Sequence, residues 1–447
     1  MIKLSLNEAA EYMNGIYDGK DKIFFGINTD SREVSSDELF FALRGSNFNG
    51  NKFSEEALMN NAAACVVDDG SIQSKENILV ENTQIALGQL AQAWQQKMSA
   101  KIIAITGSNG KTSVKELLSN CLSITAKILS TEGNFNNHIG LPLMLLRLDS
   151  HHEYAILEMG ANHPKEIEYL VNLTDPHVVL INNAGPAHLE GFKNVEGVAK
   201  AKGEILQGSL PPKYACLNYD DKYFDLWCKM AENSSVISFG LNAKATIFAE
   251  DLRVVNHKSS FTLVLPDSSI NIKLSTLGEH NIMNACAAAA IMHSLDMPIN
   301  IIKQGLEAPL IVPGRLHALK GIRNHCVIDD SYNANPTSTN AAIDFLSIMK
   351  DYNCLVLGDM KELGDHSIKM HSLAGIKAKE SGIDTLLAIG DMTKYTIEEF
   401  GSNGYWFETS EELLRHLHTL IEDIPKMNIL VKGSRSMQMD RIVKEII

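Results

Sequence analysis

The chain has 447 residues, 45% hydrophobic and 21% charged, with a formal net charge of −14. This composition excludes collagen-like, repeat and disordered classes, and its length allows about two to four domains. The acidic balance argues against a dedicated nucleic-acid partner, while a local basic pocket for a small anion stays possible.

Seven cysteines are scattered without a C-x-x-C pair, so neither a disulfide framework nor a zinc site is expected, and a reducing, cytoplasmic setting is. "MIKLSLNEAAEYMNG" carries no apolar signal region, and no run approaches the roughly 18 apolar residues of a membrane span. No membrane insertion is expected, and a monomer is.

In chain order, residues 1–97 read as a small α/β unit, with β-like runs "KIFFGINTDS", "ELFFALRG" and "AACVVDD" and a closing helical stretch, "IALGQLAQAWQQKM". Met98–Lys101 reads as a linker. Residues 98–312 then alternate strand and helix, with "KIIAIT", "YAILEMG" and "HVVLINNAG" as buried parallel strands, predicting a doubly wound α/β sheet. Residues 245–276 alternate apolar and polar and predict a small antiparallel patch before the helix "GEHNIMNACAAAAIMHSL". A Pro/Gly junction, "APLIVPGRLH", leads into residues 313–447, a second alternation built on "HCVIDDS", "NCLVLGD", "TLLAIG" and "MNILVKGS". The expected architecture is thus α/β in three domains: a smaller N-terminal unit, a central doubly wound unit and a C-terminal unit of alternating strands and helices.

The first strand of the central unit runs into "TGSNGKTS". The loop lacks the usual glycine spacing, since Ile105 stands where the earlier glycine should be. A strand-to-helix turn nonetheless offers free backbone N–H groups and a positive helix end. Gly107, Ser108, Asn109, Gly110, Lys111, Thr112 and Ser113 can cradle phosphates, with Lys111 bridging the outer ones and Thr112 ligating Mg²⁺; the bland reading is a turn that caps a helix. Glu158 and His188 lie on neighbouring strand-end loops of the same crevice, where they could serve a divalent cation or be solvated. Lys200 and Lys202 follow on a helix, and an ammonium is not in itself a metal ligand. Asn281 and Asn284 share a helix face and could read a purine edge or merely pack. Arg315 sits at the junction, placed to close on phosphate. "IDDSYNANP" is a polar strand end that reads as a site.

Together with "DSREVSSDELFFALRGSNFNGNKF", "TEGNFNNHIGLPL", "LEMGANHPKEI", "NNAGPAHLEGF", "DDSYNANPTS", "LGDMKELG" and "VKGSR", these segments resemble the Mur ligase family over essentially the whole chain. These are ATP-dependent amide-bond ligases of peptidoglycan precursor synthesis, with a short loop of the form G-[ST]-N-G-K-[ST]. The resemblance is greatest to the branch that joins D-Ala-D-Ala to a UDP-MurNAc-tripeptide. It implies a central P-loop-type ATPase domain and a C-terminal Rossmann-like domain, with ATP and two Mg²⁺ ions, and Glu158, His188 and a carbamylated Lys202 around the second ion. Lys111, His188, Lys202 and Arg315 would be catalytic. Asn281 and Asn284 would lie on the adenine-binding helix, and Arg315 and Asp330 would contact nucleotide. Ser31 and Arg32 would lie in the uridine-nucleotide site, and Asn134, Asn136, Asn137 and His138 in a substrate loop. Two other readings are a ligase like folylpolyglutamate synthase, which shares the short loop, and a non-catalytic ATP-binding switch, which lacks a second metal site and an acceptor domain.

Overall fold

The run Lys101–Thr106 is the third strand from one edge of the largest sheet, and its last five residues are buried. In the computed structural model, which describes residues 1–45, 48–72, 74–255, 258–310 and 312–447, this strand lies between Val178–Ile181 and Tyr154–Glu158, parallel to both. Ile128–Ser130 extends the sheet on one side. Tyr214–Asn218 and Ser235–Gly240 extend it on the other. Neighbouring strands on both sides of Lys101–Thr106 send their carboxyl ends the same way, which opens a crevice there. The short loop, Glu158 and the segment after Ile181 all emerge at that edge.

The antiparallel patch expected over 245–276 is present and continues the same sheet. Ile247–Val255 joins the same sheet through only two paired positions, Phe239↔Ile247 and Gly240↔Phe248. Lys258–Leu265 and Ser268–Leu274 then add antiparallel strands, giving nine in all. A two-residue parallel join leaves no period for sequence reading to detect.

The N-terminal unit holds a four-stranded parallel sheet of Ile27–Asn28, Leu39–Phe41, Ala64–Val67 and Asn77–Leu79. A two-stranded ribbon, Lys3–Ser5 with Ile23–Phe25, stands beside it. Asn82 caps the helix Thr83–Gln96 by accepting from Gln84 N and Ile85 N. This helix fastens the unit to its neighbour: Trp94 Nε1 donates to Leu148 O at 3.0 Å and Gln92 Nε2 to Asn172 O at 2.7 Å. Ile2 N donates to Leu146 O at 2.8 Å. One apolar cluster runs from Leu6, Phe24 and Leu87 through Ile102, Leu145 and Leu157.

The C-terminal sheet has six strands in the order His317–Lys320, Cys326–Asp330, Met427–Lys432, Tyr352–Gly358, Thr385–Ile389, Gly404–Phe407. Only the first pair is antiparallel. Ile311, within the junction segment, lies outside the described residues. After Asp330 the chain enters the helix Pro336–Ser347, with Pro336 in its first turn and a capping box between Asn335 and Ser338. Among the described residues no helix is long and apolar enough to cross a membrane, and all seven cysteines are free.

His371 is fully buried: its Nε2 accepts from Met360 N at 2.9 Å, and its Nδ1 lies 2.8 Å from Ser367 O. Burial lowers its pKa below the ordinary 6.5. The unfolded chain therefore takes up a proton that the folded chain resists, so stability is full above about pH 6.5 and is lost as pH falls through the lowered value. The thermal midpoint is expected to drop between about pH 7.5 and pH 5, and to drop less in His371→Gln, whose amide oxygen can still accept from Met360. Equal drops in both proteins would remove His371 from the account.

Candidate active site

The loop Gly107–Thr112 is held open from beneath by amides. Asn109 N donates to Asn183 Oδ1 at 2.9 Å, and Asn182 Nδ2 donates to Asn109 O and to Asn284 Oδ1, both at 2.9 Å. Gly110 has φ 80°, and a Cβ there would stand 2.3 Å from Asn182 Nδ2 and 2.4 Å from Asn284 Oδ1. Only glycine fits that close approach in that left-handed conformation. Asn284, read from sequence as a purine-edge candidate, thus spends its carbonyl on the loop's underside, while Asn281 Nδ2 donates to Leu277 O at 2.7 Å.

Lys111 begins the helix Lys111–Leu122, and its Nζ donates to Gly107 O at 2.6 Å, reaching back across the loop mouth. Burial lowers its pKa to about 8, the charge of Arg315 pushes the same way, and Glu158 opposes them. Thr112 Oγ1 donates to Glu158 Oε2 at 3.3 Å. Glu158 is 2% exposed, and its other oxygen, Oε1, is buried without a partner. Its backbone N donates to Thr131 Oγ1 at 2.9 Å, and Lys115 Nζ donates to Thr131 O at 2.8 Å, which fixes the strand end. A buried carboxylate oxygen without a donor is costly on its own and suits a cation.

The C-terminal unit closes over this loop. Arg315 Nη2 donates to Thr112 Oγ1 at 3.3 Å, and its guanidinium lies 4.6 Å from the Tyr332 ring centroid. Asn335 Nδ2 donates to Asn109 Oδ1 at 2.8 Å. Asp330 Oδ2 pairs with buried Lys432 Nζ at 2.6 Å, and Lys432 also donates to Asn333 O. Between the units lies a cavity of about 1600 Å³.

Lys202 is 2% exposed and 5.9 Å from the Phe192 ring centroid. Burial first, then the charge of Lys111, lowers its pKa to about 7. His188 opens the short helix Leu189–Phe192 in a left-handed conformation, with Nδ1 2.5 Å from Glu362 Oε2. That imidazole holds Glu362 below the usual carboxylate range.

The cavity wall collects Ser108, Asn109, Gly110, Lys111, Thr112, Ser113, Glu158, His188, Lys202, Asn281, Asn284, Arg315 and Asp330, together with Asn134, Asn136, Asn137 and His138. Within the last group, Asn137 Oδ1 accepts from Ile139 N and Gly140 N, and Asn136 O accepts from Gly160 N at 2.8 Å. Ser31 and Arg32 are not brought to this cavity: Ser31 Oγ donates to Glu56 Oε2 at 2.5 Å, and Arg32 pairs with Asp30 at 2.6 Å. Sequence reading gives no role to Asn182, Asn183, Glu362 or Lys432, and marks Asn335 only as part of the polar segment after Asp330. The available signal was a paired amide after a buried strand, "INNAG", and a lysine inside an apolar strand, "ILVKGS".

Among the described residues, no three His, Cys, Asp or Glu side chains form a ready-made metal cluster. Mg²⁺ beside a nucleotide is commonly held by one or two carboxylates plus phosphate oxygens and water, so the orphaned Glu158 Oε1 next to the Thr112 hydroxyl fits it.

A phosphate loop under a carboxylate, with an arginine reaching in from a second α/β unit, defines a nucleotide-using enzyme that works between domains. The chain belongs to the Mur ligase family. Residues 105–292 match its middle domain, residues 314–435 its glutamate ligase domain, and residues 24–101 the model described as the family's catalytic domain. A UDP-N-acetylmuramoyl-tripeptide--D-alanyl-D-alanine ligase of Buchnera aphidicola is 40% identical, over 100% of this chain and 98% of that protein. A crystal structure of MurF from Acinetobacter baumannii superposes with a TM-score of 0.93 at 33% identity, over 100% of this chain and 99% of that one. MurF ligase from Thermotoga maritima in complex with ADP superposes with a TM-score of 0.82 at 26% identity, covering 94% and 96% of the two chains.

Proposed function

We propose that this protein is the ATP-dependent ligase that joins D-Ala-D-Ala to UDP-MurNAc-tripeptide, acting as a cytoplasmic monomer with domains at 1–97, 98–312 and 313–447. The observation that carries this reading is the phosphate loop whose Thr112 hydroxyl meets both Glu158 and Arg315. The full-length relatives supply the substrate class.

In this reading the terminal carboxylate of the tripeptide attacks the γ-phosphorus of ATP, forming an acyl phosphate and releasing ADP. The amine of D-Ala-D-Ala then attacks the acyl carbon, loses a proton, and phosphate leaves the tetrahedral carbon. The first step brings two anions together. Lys111 and Arg315 are the cations that offset the repulsion and hold the charge spreading over the transferred group. The loop N–H groups orient the phosphates, Asp330 reaches the ribose, and Asn281 and Asn284 border the base. Domain closure keeps water from the acyl phosphate.

Two Mg²⁺ ions would be held here, one by Thr112 and Glu158 and the second by Glu158, His188 and Lys202 as its carbamate, and would supply screening of the phosphate charge. Burial and the neighbouring charge of Lys111 lower the Lys202 pKa, which favours the neutral amine that reaction with CO₂ requires. The resulting carbamate is an oxygen donor of the kind Mg²⁺ takes.

Purified protein given UDP-MurNAc-tripeptide, ATP and Mg²⁺ is expected to release phosphate only when D-Ala-D-Ala is added. Release with a folate and glutamate instead, or with neither acceptor, would overturn the assignment.

A further inference from the structure

We propose that Glu362 is a positioning residue, carried by the C-terminal unit, that fixes the imidazole of His188 and so completes the second metal site only when the domains are together. The inference rests on the two-metal reading above and deepens it.

Three contacts meet at this seam. Glu362 Oε2 lies 2.5 Å from His188 Nδ1, an atom that is buried and has no aligned hydrogen bond of its own. Glu362 O accepts from Glu190 N at 3.3 Å, two residues past His188. Leu363, 1% exposed, belongs to the same apolar cluster as Leu189 and Phe192, the residues that flank Glu190 in the central unit. Glu362 itself has φ 63°, a conformation a glutamate rarely adopts, and neighbouring Met360 is tied down through His371. The segment is thus held on both sides in the one pose that presents its carboxylate to the ring.

The chemistry follows from imidazole. A histidine offers a lone pair from one ring nitrogen when the other carries the proton, and a carboxylate at that second nitrogen fixes both tautomer and orientation. Glu362 at Nδ1 leaves Nε2 as the donor. Because Glu362 and His188 sit on different domains, an open enzyme would have His188 free to turn and the second site weak. Mere glue between domains would predict a different result, because its loss would loosen closure without singling out one ion.

The test counts Mn²⁺, as a spectroscopic stand-in for Mg²⁺, on full-length protein with a non-hydrolysable ATP analogue. Two ions are expected on the unaltered enzyme. Glu362→Ala should keep the tighter ion and weaken the other roughly 10–100-fold. Glu362→Gln, whose amide oxygen can still accept from Nδ1, should lose less. In a His188→Ala background the second ion is already weak, and adding Glu362→Ala should change nothing further. Turnover in Glu362→Ala should fall with KM for the tripeptide nucleotide unchanged. An unaltered second ion in Glu362→Ala, or the same loss with and without His188, overturns the proposal. A single ion on the unaltered enzyme overturns the two-metal reading instead.

Discussion

Turnover of Lys202→Ala is expected to fall roughly 10²–10³-fold, the scale of losing one group that stabilises charge in the transition state, and to recover partly when formate or acetate is added. The Lys202 side chain is enclosed beside Phe192, so alanine leaves a space of about the size a small carboxylate can enter. If the working group is a carbamate, what is missing is a pair of oxygens, and a carboxylate supplies them. If the working group is the ammonium, a small amine would restore activity and a carboxylate would not. Phosphate release measured across a series of added acids and amines separates the two, and rescue by amines alone would remove carbamylation from the mechanism. A thermal midpoint near that of the unaltered protein would show that the loss is chemical, since the lysine gives up a buried charge as well as packing.

Lys111→Ala is the second large effect, again roughly 10²–10³-fold in turnover, with a raised KM for ATP. Lys111 bridges the mouth of the loop through Gly107 O, and its low pKa reflects enclosure that an incoming triphosphate would reverse. Lys111→Arg should not restore the rate, because a guanidinium is larger and flatter than the site that encloses the ammonium. Steady-state phosphate release with ATP varied is the measurement. A Lys111→Ala enzyme within about tenfold of the original would mean that Arg315 alone carries the charge of the transferred group.

Much of this site was legible in the sequence because its parts lie at the ends of buried strands. "KIIAIT" and "YAILE" are short apolar runs with a polar residue just beyond, and parallel pairing sends those ends to one edge. Lys111, Thr112 and Glu158 follow from that geometry. What escaped were contacts between side chains far apart in the chain. Asn182 under Gly110, Asn335 on Asn109 and Glu362 on His188 each join segments that no local period relates. Ser31 and Arg32 take their role from the resemblance alone; Ser31 meets Glu56, and the exposed Arg32 side chain pairs with Asp30. The antiparallel patch over 245–276 is legible in its alternation, while its two-residue join to the central sheet is tertiary information.

The way the first unit is fastened to the second bears on how the chain is made. Ile2 pairs with Leu146, Trp94 with Leu148 and Gln92 with Asn172, and the apolar cluster crosses from one unit to the other without a gap. The first hundred or so residues therefore leave the ribosome with one side of their core still to be synthesised, and the amphipathic helix Thr83–Gln96 waits, partly uncovered, for its partner. The C-terminal sheet also waits, because its last strand, Met427–Lys432, is the one that joins Cys326–Asp330 to Tyr352–Gly358. Both ends of the chain therefore pass through a stage of synthesis with apolar surface uncovered, when protection from aggregation matters most.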